Sequence, residues 1–110
     1  MALTSAQRRH LRGLAHPLKP AVLVGGARYT EALLAEVDRA LKDHELIKLK
    51  LLDGDKEEMA AGRLLFAERL QAEWVQSIGH TLVLFRRNPT RPKLDPLPGE
   101  DFPRGKKAGG

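Results

Sequence analysis

Leu46-Ile47-Lys48-Leu49-Lys50-Leu51-Leu52, closed by Asp53-Gly54-Asp55, is the stretch that decides the fold. Ile47, Leu49 and Leu51 alternate with Lys48 and Lys50, the period of two that turns one side of a β-strand to a core. Just upstream the period is different. Leu33, Leu34, Val37, Ala40 and Leu41 recur at helical spacing and form one apolar face, with Thr30 placed to cap it. Downstream, Asp55 followed by Glu58 is a capping box that opens another helix, with Met59, Phe66, Ala67 and Leu70 inward.

The remaining elements extend outward from this helix-strand-helix centre. Ala21-Val22-Leu23-Val24, between Pro20 and Gly25, is a short apolar run that reads as a buried strand. Before it, Thr4 or Ser5 caps an amphipathic helix. On the helical wheel Leu3, Gln7, His10, Leu11 and Leu14 share one side, and Arg8, Arg9 and Arg12 form a solvated stripe on the other. Pro17 and Pro20 end that helix. Near the other end, Trp74–Ile78 and Thr81–Phe85 flank Gly79-His80, and Gly at the first of two loop positions suits a type II′ hairpin. The predicted order is α-β-α-β-α-β-β: an α/β class, a single compact domain with a four-stranded mixed sheet and packed helices. Successive β-α-β units imply parallel neighbours with right-handed crossovers, closed by an antiparallel hairpin strand.

The chain has 110 residues, enough for one domain, and its 42% hydrophobic content suits a globular core. Cysteine is absent, which removes disulfides, thiolate zinc sites and thiol nucleophiles. Apolar runs such as Leu82–Phe85 fall far short of the roughly 20 residues needed to span a bilayer. No apolar segment follows Arg8, Arg9 and Arg12 in the manner of a secretory signal, so a cytoplasmic protein is expected. Residues 88–110 hold Pro89, Pro92, Pro96, Pro98 and Pro103, with few large apolar groups, and are expected to be a disordered basic tail. The folded unit is then residues 1–87.

The charge is unevenly placed. Residues 1–28 carry Arg8, Arg9, Arg12, Lys19 and Arg28 with no acid, residues 29–85 are net acidic, and residues 86–110 are again basic. Basic ends suit a polyanionic partner, or else serve only solubility. Catalysis has little footing. His10, His16, His44 and His80 fall in different elements, and neither Ser5 nor Ser77 lies in a Gly-x-Ser-x-Gly elbow. No enzyme activity, metal, cofactor or small-molecule substrate is expected.

Gly25-Gly26-Ala27-Arg28 joins a strand to a helix start, followed by Tyr29 and Thr30. Backbone N–H groups are unpaired at such a start, glycines let an anion approach closely, and Arg28 offers a two-pronged grip on phosphate. The other reading is a sharp turn and nothing more. Arg8, Arg9, Arg12 and Lys19, with Arg86 and Arg87 at the end of the last strand, make a sugar-phosphate groove if they converge and are merely solvated if they do not. Tyr29 either stacks on a base or packs on the sheet; Trp74 and Phe85 read as core.

Several blocks, in order, resemble the CRM-domain family of small bacterial YhbY-like proteins. They are Leu3–His16 with Pro17-Leu18-Lys19-Pro20, Val24-Gly25-Gly26, Thr30–Leu33, His44–Lys50 and Ile78–Arg86. The resemblance covers about residues 3–87. It implies a domain similar to the C-terminal domain of translation initiation factor 3 and distantly like KH modules. It also implies RNA binding associated with precursors of the large ribosomal subunit. Such proteins carry a Gly-x-x-Gly loop; here Gly25 matches its first glycine and Arg28 occupies the place of the second. Either Gly26 bears the unusual torsion or the loop geometry changes. The leading expectation is a monomeric, non-catalytic RNA-binding protein of ribosome assembly. Its rival is a protein-interaction adaptor whose basic ends contact an acidic partner.

Overall fold

Thr4 and Gln7 make a reciprocal capping box that starts helix α1, Ser5–Ala15. Strand β1 is Val22–Val24, helix α2 is Glu31–His44 and strand β2 is Leu46–Leu51. Helix α3, Lys56–Leu70, starts at the predicted Asp55/Glu58 capping box. Strands β3, Glu73–Ile78, and β4, Thr81–Phe85, follow. Their turn has positive φ at Gly79 but not at His80, as a type II′ hairpin requires. This computed structural model describes residues 3–26 and 28–100.

The sheet is four-stranded and mixed, in the order β1-β2-β4-β3. β1 and β2 are the parallel neighbours that the first β-α-β unit predicts. The second unit departs from expectation, because β4 inserts between β2 and β3 and pairs antiparallel with both. Burial explains the order. Leu82 and Leu84 enter one core cluster and Val83 and Phe85 the other, so β4 is apolar on both sides and takes a central place. β3 carries Glu73, Gln76 and Ser77, has a bulge between Trp74 and Gln76, and occupies an edge.

One face of the sheet buries Val22, Val24, Ile47, Leu49 and Leu51 against Leu33, Val37 and Leu41 of α2 and Met59 and Phe66 of α3. Ala67, predicted inward, is exposed, and Gly62 takes the inward position. The opposite face buries Leu46, Val75, Val83 and Phe85 against Leu11 and Ala15 of α1.

Residues 88–100 correct the expected boundary at residue 87. Leu97 is only 2% exposed and joins the α1 cluster, with Leu94 packed beside it. Burying a leucine contributes about 1.5–3 kcal/mol toward the entropy cost of ordering the strap. Polar groups fix the rest. Glu45, at φ 66 just past α2, has a carboxylate with 0% exposure. Its Oε1 accepts from Arg87 Nη1 at 2.7 Å and from the amides of Lys93 and Leu94 at 2.7 and 2.8 Å. Its Oε2 accepts from the Asn88 amide. Arg87 also donates to Glu100 and to the carbonyls of Leu94 and Asp95. The tail cations Arg104, Lys106 and Lys107 lie outside the described residues.

Glu45→Gln keeps the shape but removes the charge and turns an amide NH2 toward N–H donors. Breaking one side of a buried ion pair costs roughly 3–5 kcal/mol, so the variant should lose about 3 kcal/mol of unfolding free energy in urea. An unchanged midpoint would show that Glu45 does not hold the strap.

Candidate nucleic-acid interface

β1 leaves the sheet at Val24, whose carbonyl accepts from Leu52 N at 2.9 Å, and the chain turns through Gly25 and Gly26 to Thr30, the N-cap of α2. Arg28 N donates to Gly25 O and Thr30 N to Arg28 O, both at 3.0 Å. Arg28 itself adopts φ 57, whereas neither Gly25 nor Gly26 has positive φ. The unusual torsion therefore falls on the residue in the place of the family's second glycine. A left-handed L residue costs of order 1–2 kcal/mol, so something must hold it there.

The guanidinium does. Nε donates to Glu58 Oε2 at 2.8 Å, and Nη1 donates to the carbonyls of Gly25 at 2.6 Å and Leu52 at 3.0 Å. Nη2 donates to Asp53 O and to Glu58 Oε1. An arginine has five N–H donors, and all five have acceptors within the protein. The expectation that Arg28 grips a phosphate is thus corrected: its fork clasps the β1–α2 corner to the β2–α3 loop and the start of α3. The hydrogen bond from Arg28, followed by that from the Asp55 amide, holds the Glu58 carboxyl below its ordinary pKa.

Tyr29 and Thr30 are also engaged. Tyr29 Oη donates to Glu58 O, and its ring meets Phe66 edge-on, centroids 5.6 Å apart at 89°. Gly62 makes the room, since a Cβ there would collide with the phenol. Of the two readings of Tyr29, packing is the one seen, and desolvation raises its pKa. The Thr30 hydroxyl accepts from Leu33 N. Ala27 lies outside the described residues.

Gly25 and Gly26 remain exposed, and a Cβ at either would meet nothing within 4 Å. Neither torsion nor packing demands glycine at these positions. What they provide is bare backbone. The amides of Gly26, Tyr29, Glu31 and Ala32 make no hydrogen bond among the described residues, and the last two are orphan donors of the first turn of α2. Glu31, which would repel an anion there, is paired with Arg69 at 2.9 Å.

The predicted cations divide into two sets. α1 buries Leu11 and Ala15, which carries Arg8 inward and leaves His10 and Leu14 exposed. Arg8 lies over Trp74 at 5.4 Å, with its Nε 3.4 Å from Trp74 O, and Arg63 covers the same ring at 3.8 Å. Arg8 is therefore not part of a solvated stripe. Arg86 pairs with Asp38 at 2.8 Å and donates to Leu70 O at the end of α3, so it ties β4 to both helices. The Arg86 hydrogen bond is the largest cause of the lowered Asp38 pKa. Arg86 and Arg87 line a groove of about 460 Å³ with Asp38, Gln71 and Asn88, but their guanidinium groups are spent on Asp38, Glu45, Glu100 and backbone carbonyls of the fold.

Arg9, Arg12 and Lys19 are exposed and make no ion pair among the described residues. Lys19 precedes β1 and so stands at the end of that strand opposite Gly25. Arg12 lines a groove of about 320 Å³ with Ala15, His16, Lys48, Gln76 and Ile78. Lys48 and Lys50 were legible as outward residues of β2; what the sequence hides is that α1 leaves Lys50 uncovered.

A CRS1 / YhbY (CRM) domain profile matches residues 3–86. The chain is 44% identical over 84 residues to a Haemophilus influenzae protein named "RNA-binding protein", covering 76% of this chain and 85% of that one. It is 39% identical over 89 residues to a Pseudomonas aeruginosa protein named "Probable RNA-binding protein", covering 81% and 86%. A solution structure of a hypothetical protein from Staphylococcus aureus superposes with a TM-score of 0.70 at 31% identity, covering 78% of this chain and 90% of that one.

Two substitutions separate the torsion of Arg28 from its hydrogen bonds. Both Arg28→Ala and Arg28→Gly should destabilise the protein, with Gly the milder by about 1 kcal/mol in urea, because only Ala keeps a Cβ in the left-handed region. Equal losses would contradict the strained torsion. Because folding lowers the Glu58 pKa, the pair's stabilisation is full above the unfolded carboxylate pKa and fades as pH falls through the folded one. Acid should therefore destabilise the parent protein below about pH 4.5, and the Arg28 variants less steeply.

Proposed function

The chain belongs to the CRS1 / YhbY (CRM) domain family, and from that membership we propose that it is a monomeric, non-catalytic RNA-binding protein of the cytoplasm that acts on precursors of the large ribosomal subunit. The observation that carries the reading is the bare corner at Gly25 and Gly26. Neither torsion nor packing demands its glycines, and the amides of Gly26, Glu31 and Ala32 make no hydrogen bond among the described residues. Backbone N–H groups beside a helix N-terminus suit a phosphate oxygen, and glycine removes the Cβ that would keep a sugar-phosphate chain at a distance. Arg9 and Arg12 extend the positive track along α1. The names of the relatives support RNA as the ligand, and the family resemblance supplies the large-subunit role.

Three phosphate contacts, at the corner, Arg9 and Arg12, predict a slope near −2 in log affinity against log salt, at roughly −0.7 each for single-stranded RNA. The double variant Arg9→Glu/Arg12→Glu should lose about 1.4 of that slope while its urea midpoint stays where it was, since both side chains are exposed. No saturable binding, or no salt dependence, would defeat the reading. Sedimentation of cell extract should place the protein with large-subunit particles and nuclease should release it; retention after nuclease would favour the acidic-protein partner.

A further inference from the structure

The sheet face that α1 covers is only half covered. α1 lies over Leu46, Val75, Val83 and Phe85. The next cross-strand row, toward the glycine corner, has no helix on it among the described residues. Leu23 pairs with Lys50, Lys50 with Thr81, and Thr81 with Ile78, so the four residues form one line across all four strands. All four face the α1 side, because their neighbours Val22, Val24, Leu49, Leu51 and Leu82 enter the opposite core. Three strand spacings make this line about 14 Å long.

The composition of the line is unusual for a solvated surface. Leu23 is 57% exposed and Ile78 55% exposed, at its two ends, with Lys50 exposed between them. Alongside runs the groove formed by Arg12, Ala15, His16, Lys48, Gln76 and Ile78, which contains no carboxylate. Only Val24 separates Leu23 from Gly25, so the open half-face continues into the bare corner.

We infer that this half-face is a further RNA contact, specific for an unpaired strand, that continues from Arg12 with a phosphate on Lys50 and base faces on Leu23 and Ile78. The charge selects a polyanion, and the apolar ends select its form. A duplex hides its base faces and offers only phosphates and sugar edges, which leaves Leu23 and Ile78 without a partner. An unpaired strand offers base faces that bury apolar surface against them. The residues are aliphatic, so the contact lacks the aromatic stacking of other single-strand readers, and hydrogen bonds to particular bases are few. Weak sequence preference follows.

The inference rests on the RNA-binding reading, and the test separates the two. The full chain is titrated by fluorescence anisotropy with a labelled single-stranded oligo(U) 12-mer and with an RNA hairpin of equal phosphate number. Lys50→Glu should weaken oligo(U) binding roughly tenfold and reduce the salt slope by about 0.7. Leu23→Ser and Ile78→Ser should weaken it severalfold with the slope unchanged, because they remove apolar contact alone. Hairpin affinity should change less than twofold in both serine variants. If the parent chain binds oligo(U) and all three variants match it within twofold, the half-face is not a contact although RNA binding stands. Equal losses on hairpin and oligo(U) in the serine variants would overturn the single-strand assignment. No binding by the parent chain would overturn both readings.

Discussion

The five hydrogen bonds of the Arg28 guanidinium hold together the end of the molecule that matters most. They join the β1–α2 corner to the carbonyls of Leu52 and Asp53 and to Glu58 at the start of α3. One side chain thus bridges three connections of the chain. Tyr29 adds its hydrogen bond to Glu58 O and its contact with Phe66 beneath the same corner. The Arg28 and Tyr29 side chains turn toward α3 and the Thr30 hydroxyl caps α2, so at Gly25 and Gly26 the corner presents exposed backbone. On the proposed reading, Arg28 serves the ligand indirectly, by fixing the backbone beside it.

The same economy governs the other end. Glu45 and Arg87 look like surface charges in the sequence, yet each is saturated by backbone partners and by the other. Together they bring residues 88–100 onto the α1 side, where Leu97 completes the lower core cluster. α1 and this strap cover one half of the sheet face. The other half, from Leu23 to Ile78, is left open among the described residues, next to the glycine corner. The division of charge follows: Arg28, Arg86 and Arg87 build the fold, and Arg9, Arg12 and Lys50 are exposed.

Local signals in the sequence were sufficient for the elements. The alternation at Leu46–Leu51, the Thr30 cap, the Asp55/Glu58 box and the Gly79 turn each appear in the structure because each depends on residues a few positions apart. Strand order needed a longer-range argument, although the unbroken run Leu82–Phe85 is the signal of a strand buried on both sides. Leu11 is inward as its spacing predicts, but His10 and Leu14 fit an apolar wheel as well as Ala15 does, and only packing against Val75 and Phe85 selects Ala15. The site was read least well for a reason of chemistry. Whether an arginine meets solvent or a set of carbonyls is settled by chain segments 24 to 48 residues away, and no spacing rule reports it. The strap was missed because proline-rich composition resembles disorder, while its partners, Glu45 and the α1 cluster, lie far upstream.

The central claim is that Arg28 shapes the RNA-binding corner without touching the ligand. The salt dependence of RNA affinity counts phosphate contacts directly, independent of overall stability so long as the chain remains folded. The decisive measurement is that slope for Arg28→Gly beside the parent chain, at a temperature where both are folded. An internal clasp predicts equal slopes, with at most a uniform loss of affinity. A slope smaller by about 0.7 would mean that the guanidinium itself grips a phosphate, and would contradict the account.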